Sequence, residues 1–118
     1  IMAILVAISI VYTGVKLIIR STDGLMDSQL TEKEMVLIRE VLDCYKSNEI
    51  DYHALYTRRA SAKQFITFHL LFPGEYTVFK AHEVTKQIEL ELKKLLPLAD
   101  VFIHVEPLND PDAFDDRL

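Results

Sequence analysis

The sequence predicts an α+β domain, a two-layer sandwich with helices on one face of a three-stranded sheet, preceded by an apolar helix of membrane-spanning length. Two observations carry this. The period of the hydrophobic residues changes along the chain in the order helix, strand, strand, helix, strand. The first nineteen residues hold a single charge, Lys16, whereas the sequence beyond Arg20 mixes charged and apolar residues in ordinary soluble proportion. A chain of 118 residues is long enough for one compact core that needs neither disulfide nor metal to be stable.

Residues 1–21 form the first element. Read as a helix, Ile1 to Ile19 would span about 28 Å at ~1.5 Å per residue, close to the ~30 Å hydrocarbon core of a bilayer. The run is apolar on all sides, unlike a surface amphipathic helix. Lys and Arg follow the apolar stretch instead of preceding it, which disfavours a cleavable signal peptide and places what comes next in the cytoplasm. The absence of a methionine at position 1 suggests a piece of a longer, multi-pass chain. Residues 22–30 are a polar connector around Gly24.

A helix is expected from Thr31 to Lys46. Thr31 can cap it, Glu34 can answer as the capping-box partner, and Met35, Ile38, Leu42 and Tyr45 recur at helical spacing. Asp51 to Ala60, loosely alternating and rich in Tyr, Leu and Thr, reads as a strand. Ala62 to Phe72 reads as a second, joined to the first by a short turn at Ala60–Ala62 that lacks an Asn-Gly signal. Pro73-Gly74 breaks the chain. Thr77 to Leu96 is the second soluble helix, with Val84, Ile88, Leu92 and Leu95 on one side and Pro97 at its end. Ala99 to Pro107 is the last strand, closing a domain over 31–107, and residues 108–118 are an acidic tail expected to be mobile.

Alternation assigns the faces of the sheet. In the second strand Ile66, Phe68, Leu70 and Phe72 point to the helices, leaving Phe65, Thr67, His69 and Leu71 on the open face. In the last strand Val101, Ile103 and Val105 point inward, so Phe102, His104 and Glu106 share the open face with His69.

Net charge is −5 at neutral pH, which removes the basic footprint of a nucleic-acid binder. The single cysteine, Cys44, cannot form an intrachain disulfide and reads as a packed helix residue in a reducing compartment. The three glycines stand apart, so there is no phosphate-cradling loop, and no GxSxG or local Cys-His pairing suggests an enzyme. A zinc hydrolase with Glu106 as base is the best enzymatic alternative, but no substrate cleft is evident. The four histidines are more suggestive. His53, His69, His82 and His104 fall one on each element after the first soluble helix, and imidazoles with a carboxylate such as Glu106 suit Zn²⁺ or a similar divalent ion.

"VYTGVKLIIRSTDGLMD", "DYHALYTRR", "FITFHLLF", "KAHEVTKQIELEL" and "ADVFIHVEP", in this order, resemble the end of the last transmembrane helix and the cytosolic C-terminal domain of cation diffusion facilitator transporters. The resemblance covers nearly the whole chain. It implies a metallochaperone-like αββαβ fold, a ferredoxin-like variant, that forms a homodimer through its open sheet face in the cytoplasm, below a multi-pass part in the cell membrane. It also implies cytosolic binding of zinc or a related cation (Cd²⁺, Fe²⁺, Mn²⁺, Co²⁺, Ni²⁺), with proton antiport in the full-length transporter. Carried over position by position, the ligands are His53, His69, His82, His104 and Glu106, with His69, His104 and Glu106 as one group and His53 and His82 as a second near the dimer seam. Asp27 matches an acidic residue near the membrane that can join a charge interlock. The family's transport site, built by earlier membrane helices, is absent. A purely structural dimerisation module without metal sensing is the alternative function.

Overall fold

The structure is a computed structural model that describes residues 1–25, 28–47 and 49–111. Its elements are α1 (Met2–Leu25), α2 (Glu32–Tyr45), β1 (Asp51–Ala60), β2 (Lys63–Phe72), α3 (Val78–Leu95) and β3 (Ala99–Pro107). After α1 this is the αββαβ order expected from hydrophobic period. Helix α1 continues into the stretch read as connector, because no proline or glycine cap stops it at Ser21, and the Thr22 hydroxyl bonds back to the Ile18 and Ile19 carbonyls instead of competing for a turn. Its segment Met2–Thr22 is long and apolar enough to cross a membrane and has none of its residues buried in the core. Asp27 lies outside the described residues, as does the tail from 112 to 118.

Helix α2 begins on a complete capping box. The Thr31 hydroxyl accepts from the Glu34 amide, and the Glu34 carboxylate accepts from the Thr31 amide at 2.8 Å. Thr77 caps α3 in the same way through the Lys80 amide. The β1–β2 hairpin closes over Ser61, whose φ of 56° supplies the left-handed turn residue that an Asn-Gly pair would otherwise provide.

Strand order is β1-β2-β3, with β1 antiparallel to β2, and β3 parallel to it through the α3 crossover. Both helices lie on one face. The core between the layers is built from Ile38 and Leu42 of α2, Ile66, Phe68, Leu70 and Phe72 of β2, and Ile88 and Leu92 of α3. The inward set expected on the middle strand is therefore the buried set. Val101 and Ile103 pack against this core as expected, but Val105 is 45% exposed, and three further side chains depart from expectation. Cys44 is exposed and not packed, because it sits two residues beyond Leu42, about 200° around the helix from the buried stripe. Leu95 is exposed and Leu96, the C-cap of α3, fills the core instead, since the chain leaves the helical course there. Leu71, assigned to the open face, is buried but stands outside the main core, enclosed on the central strand between Asp51 of β1 and Glu106 of β3.

Candidate metal centre

Sheet register brings the histidines together. His53 pairs with His69, and His69 pairs with His104, so three imidazoles form one row across β1, β2 and β3 on the face turned away from the helices. Ring centroids are 5.0 Å apart in each neighbouring pair. Glu106, two residues beyond His104 and so on the same face, reaches back over this row. Its carboxylate lies 3.1 Å from His53 Nε2, 3.1 Å from His69 Nδ1 and 3.4 Å from His104 Nε2.

The ligand atoms of His53, His69 and Glu106 all fall within 4.8 Å of one another. The two 3.1 Å approaches are made to different oxygens, His53 to Oε2 and His69 to Oε1, and an ion with bonds of about 2.0–2.1 Å holds its ligands roughly 3.3 Å apart, so donor atoms spread over up to 4.8 Å would have to close around one. These three side chains are partly buried, 15–27% exposed, whereas His104 is 65% exposed and forms the outer wall. Two nitrogen donors, one carboxylate and an outer imidazole make a mixed N/O set suited to zinc-like divalent ions.

The strand residues beside the cluster are held firmly. On the core side of β1, burial followed by donation to Asp43 at 2.8 Å pushes the Tyr52 phenol up to about 12. The Lys46 ammonium, 2.9 Å from Asp51, keeps that carboxyl below its ordinary range. Asp51 is thereby engaged where β1 begins, two residues ahead of His53.

His82 lies elsewhere. It is exposed in the first turns of α3 and lines a groove of about 560 Å³ with Val101, Ile103 and Val105, the inward-facing residues of β3. The sheet separates it from the row of histidines. The grouping expected from sequence is thus rearranged in space, with His53 beside His69, His104 and Glu106, and His82 apart. One feature of β1 is invisible in the sequence. His53 pairs with His69, yet Tyr56 pairs with Thr67, so β1 spends three steps where β2 spends two, and Ala54 adopts a φ of 50°. The extra residue is a β-bulge.

The family model described as "Cation efflux protein, cytoplasmic domain" matches residues 30–108. An uncharacterized transporter of Synechocystis is 31% identical over 109 residues, covering 92% of this chain and 35% of the relative. The cation-efflux pump FieF of Pectobacterium atrosepticum is 29% identical over 104 residues, 88% of this chain and 34% of the pump. The chain therefore spans about a third of the length of these curated relatives. Among solved structures, the metal-bound C-terminal domain of the CzcD transporter from Thermotoga maritima superposes with a TM-score of 0.59 at 32% identity, over 70% of this chain and 99% of that one. CzrB in its Zn form gives 0.59 at 31% identity, over 72% and 97%. That family is membrane-bound with its C-terminal domain in the cytoplasm, and the apolar α1 fits such an attachment. With the fold and these matches agreeing, the chain belongs to the cation efflux, or cation diffusion facilitator, family and carries its cytoplasmic domain.

Proposed function

We propose that the domain following α1 is the metal-binding, dimerising regulatory part of a divalent-cation efflux transporter of the zinc type, a proton antiporter in the whole protein, and that α1 is the end of its last membrane helix. The observation that carries this reading is the convergence of His53, His69 and His104 on the Glu106 carboxylate, on a sheet face that no helix covers among the described residues. The same face presents Tyr56 and Phe102 at 68% and 62% exposure, apolar surface suited to a second copy of the chain. A cation held at the seam favours one placement of the two subunits in proportion to its differential affinity for it. Protons compete with the ion, because an imidazole must be neutral to bind.

The test is calorimetric titration of zinc into the 118-residue chain in mild detergent, intact and with His104→Ala. Binding that weakens in the variant is expected. An intact chain that takes up no zinc sinks the metal reading and leaves a structural dimer, whose association would ignore chelators.

A further inference from the structure

We infer that the bulge at Ala54 is a positioning device for the metal cluster, curling β1 over the open face so that His53 meets a carboxylate two strands away; this rests on the metal-binding reading above. His53 belongs to β1 and Glu106 to β3, with β2 between them. Neighbouring strands lie about 4.8 Å apart, so the two backbones are separated by roughly twice that, and side chains on a flat sheet stand roughly perpendicular to it. The residues are also one row out of register, since Glu106 pairs with Leu71 and His53 with His69. Their side chains nevertheless close to 3.1 Å across the middle strand. A bulge bends its strand and increases the local twist, and this one directly follows His53.

The device works against local backbone preference. Ala54 holds a φ of 50°, a left-handed conformation in which its Cβ is crowded. The fold does not need the extra residue to keep its faces in phase. Tyr52 and Leu55 both pack against the core. Removing Ala54 would leave Tyr52, His53 and Leu55 in strict alternation, with the same residues inward and His53 still outward. A strained residue that the packing does not require, next to a ligand that must lean, is a feature retained for the site.

Three forms of the chain test this: wild type, Ala54→Gly and the deletion of Ala54. Each is followed by zinc calorimetry, by the absorption spectrum of bound Co²⁺, and by NMR contacts between the His53 ring and the Glu106 side chain without metal. Glycine adopts the left-handed conformation freely, so Ala54→Gly should bind zinc as wild type does, with the same cobalt spectrum. The deletion should stay folded, lose the His53–Glu106 contact, bind zinc ~10- to 100-fold more weakly and give an altered cobalt spectrum. A folded deletion that binds like wild type overturns the proposal. If wild type binds no zinc, the metal-binding reading fails by itself, and the metal-free contact still decides, since its survival in the deletion overturns the role of the bulge. Should the deletion not fold, Ala54→Val takes its place, because a β-branched residue resists positive φ; affinities equal to those of Ala54→Gly would again refute it.

Discussion

Glu34 is where α2, the β-hairpin and the chain leaving α1 are fastened together, and replacing it with glutamine isolates the worth of its charge. One carboxylate oxygen accepts from Gln64 Nε2 at 2.7 Å and pairs with the Arg59 guanidinium; the other accepts from the Thr31 amide and hydroxyl. The Arg59 amide in turn donates to the Ser28 carbonyl at 2.7 Å. The Arg59 hydrogen bond first, then that from Thr31, holds the Glu34 carboxyl down at about 2 instead of its ordinary 4.5. At 1.36 kcal/mol per pH unit that displacement corresponds to roughly 3.4 kcal/mol. Arg59 is 33% exposed, so solvent screening trims the figure to about 2 kcal/mol. Glutamine keeps the length and can still serve the capping box, so Glu34→Gln should cost about that much at pH 7, or ~8–16 °C of melting temperature for a domain of this size. The sign of the pH dependence is fixed by the depressed value. The contribution is fully present above about 4.5 and is lost as pH falls towards 2, so wild type and variant should differ at pH 7 and converge near pH 2. Paired thermal melts followed by circular dichroism across that range measure it. A gap that is absent at pH 7, or stays constant down to pH 2, would refute the reasoning.

Two further outcomes are expected of the open face. Glu106→Gln removes the carboxylate of the proposed set; with ~10–16 kcal/mol for a four-ligand zinc site, a single ligand is worth about 3 kcal/mol, so calorimetry should show zinc affinity about 100-fold weaker, and an unchanged affinity would exclude Glu106 from the coordination. Replacing both Tyr56 and Phe102, 68% and 62% exposed, by serine should convert dimer to monomer in sedimentation with little change in melting temperature, whereas a dimer that persists would place the interface elsewhere.

Much of this protein is legible locally. Thr31 with Glu34 marks a helix start through hydrogen bonds made within one turn, and this capping box stands in the structure where the residues call for it. Strict alternation through Ile66, Phe68, Leu70 and Phe72 assigns the core face of β2 because the period of a strand is fixed by its backbone geometry. The candidate ligands are equally legible as residue types, and the parity of His104 and Glu106 places them on one face. Cys44 shows the limit of such reading, since helical periodicity identifies the buried stripe more surely than the fate of a small residue off it.

By itself, then, the sequence determined the αββαβ order, the apolar helix ahead of it and the set of residues able to bind a cation, all consequences of spacing and side-chain chemistry along the chain. Only the tertiary structure decided which of them meet. The row of His53, His69 and His104 depends on the register of three strands. The approach of His53 to Glu106 crosses a whole strand at a bulge whose residue, an alanine, carries no sequence signal for positive φ. The separation of His82 follows from the sheet lying between its groove and the cluster. Register, bulge and layer are relations between segments far apart in the chain, and a pattern read along one segment does not contain them.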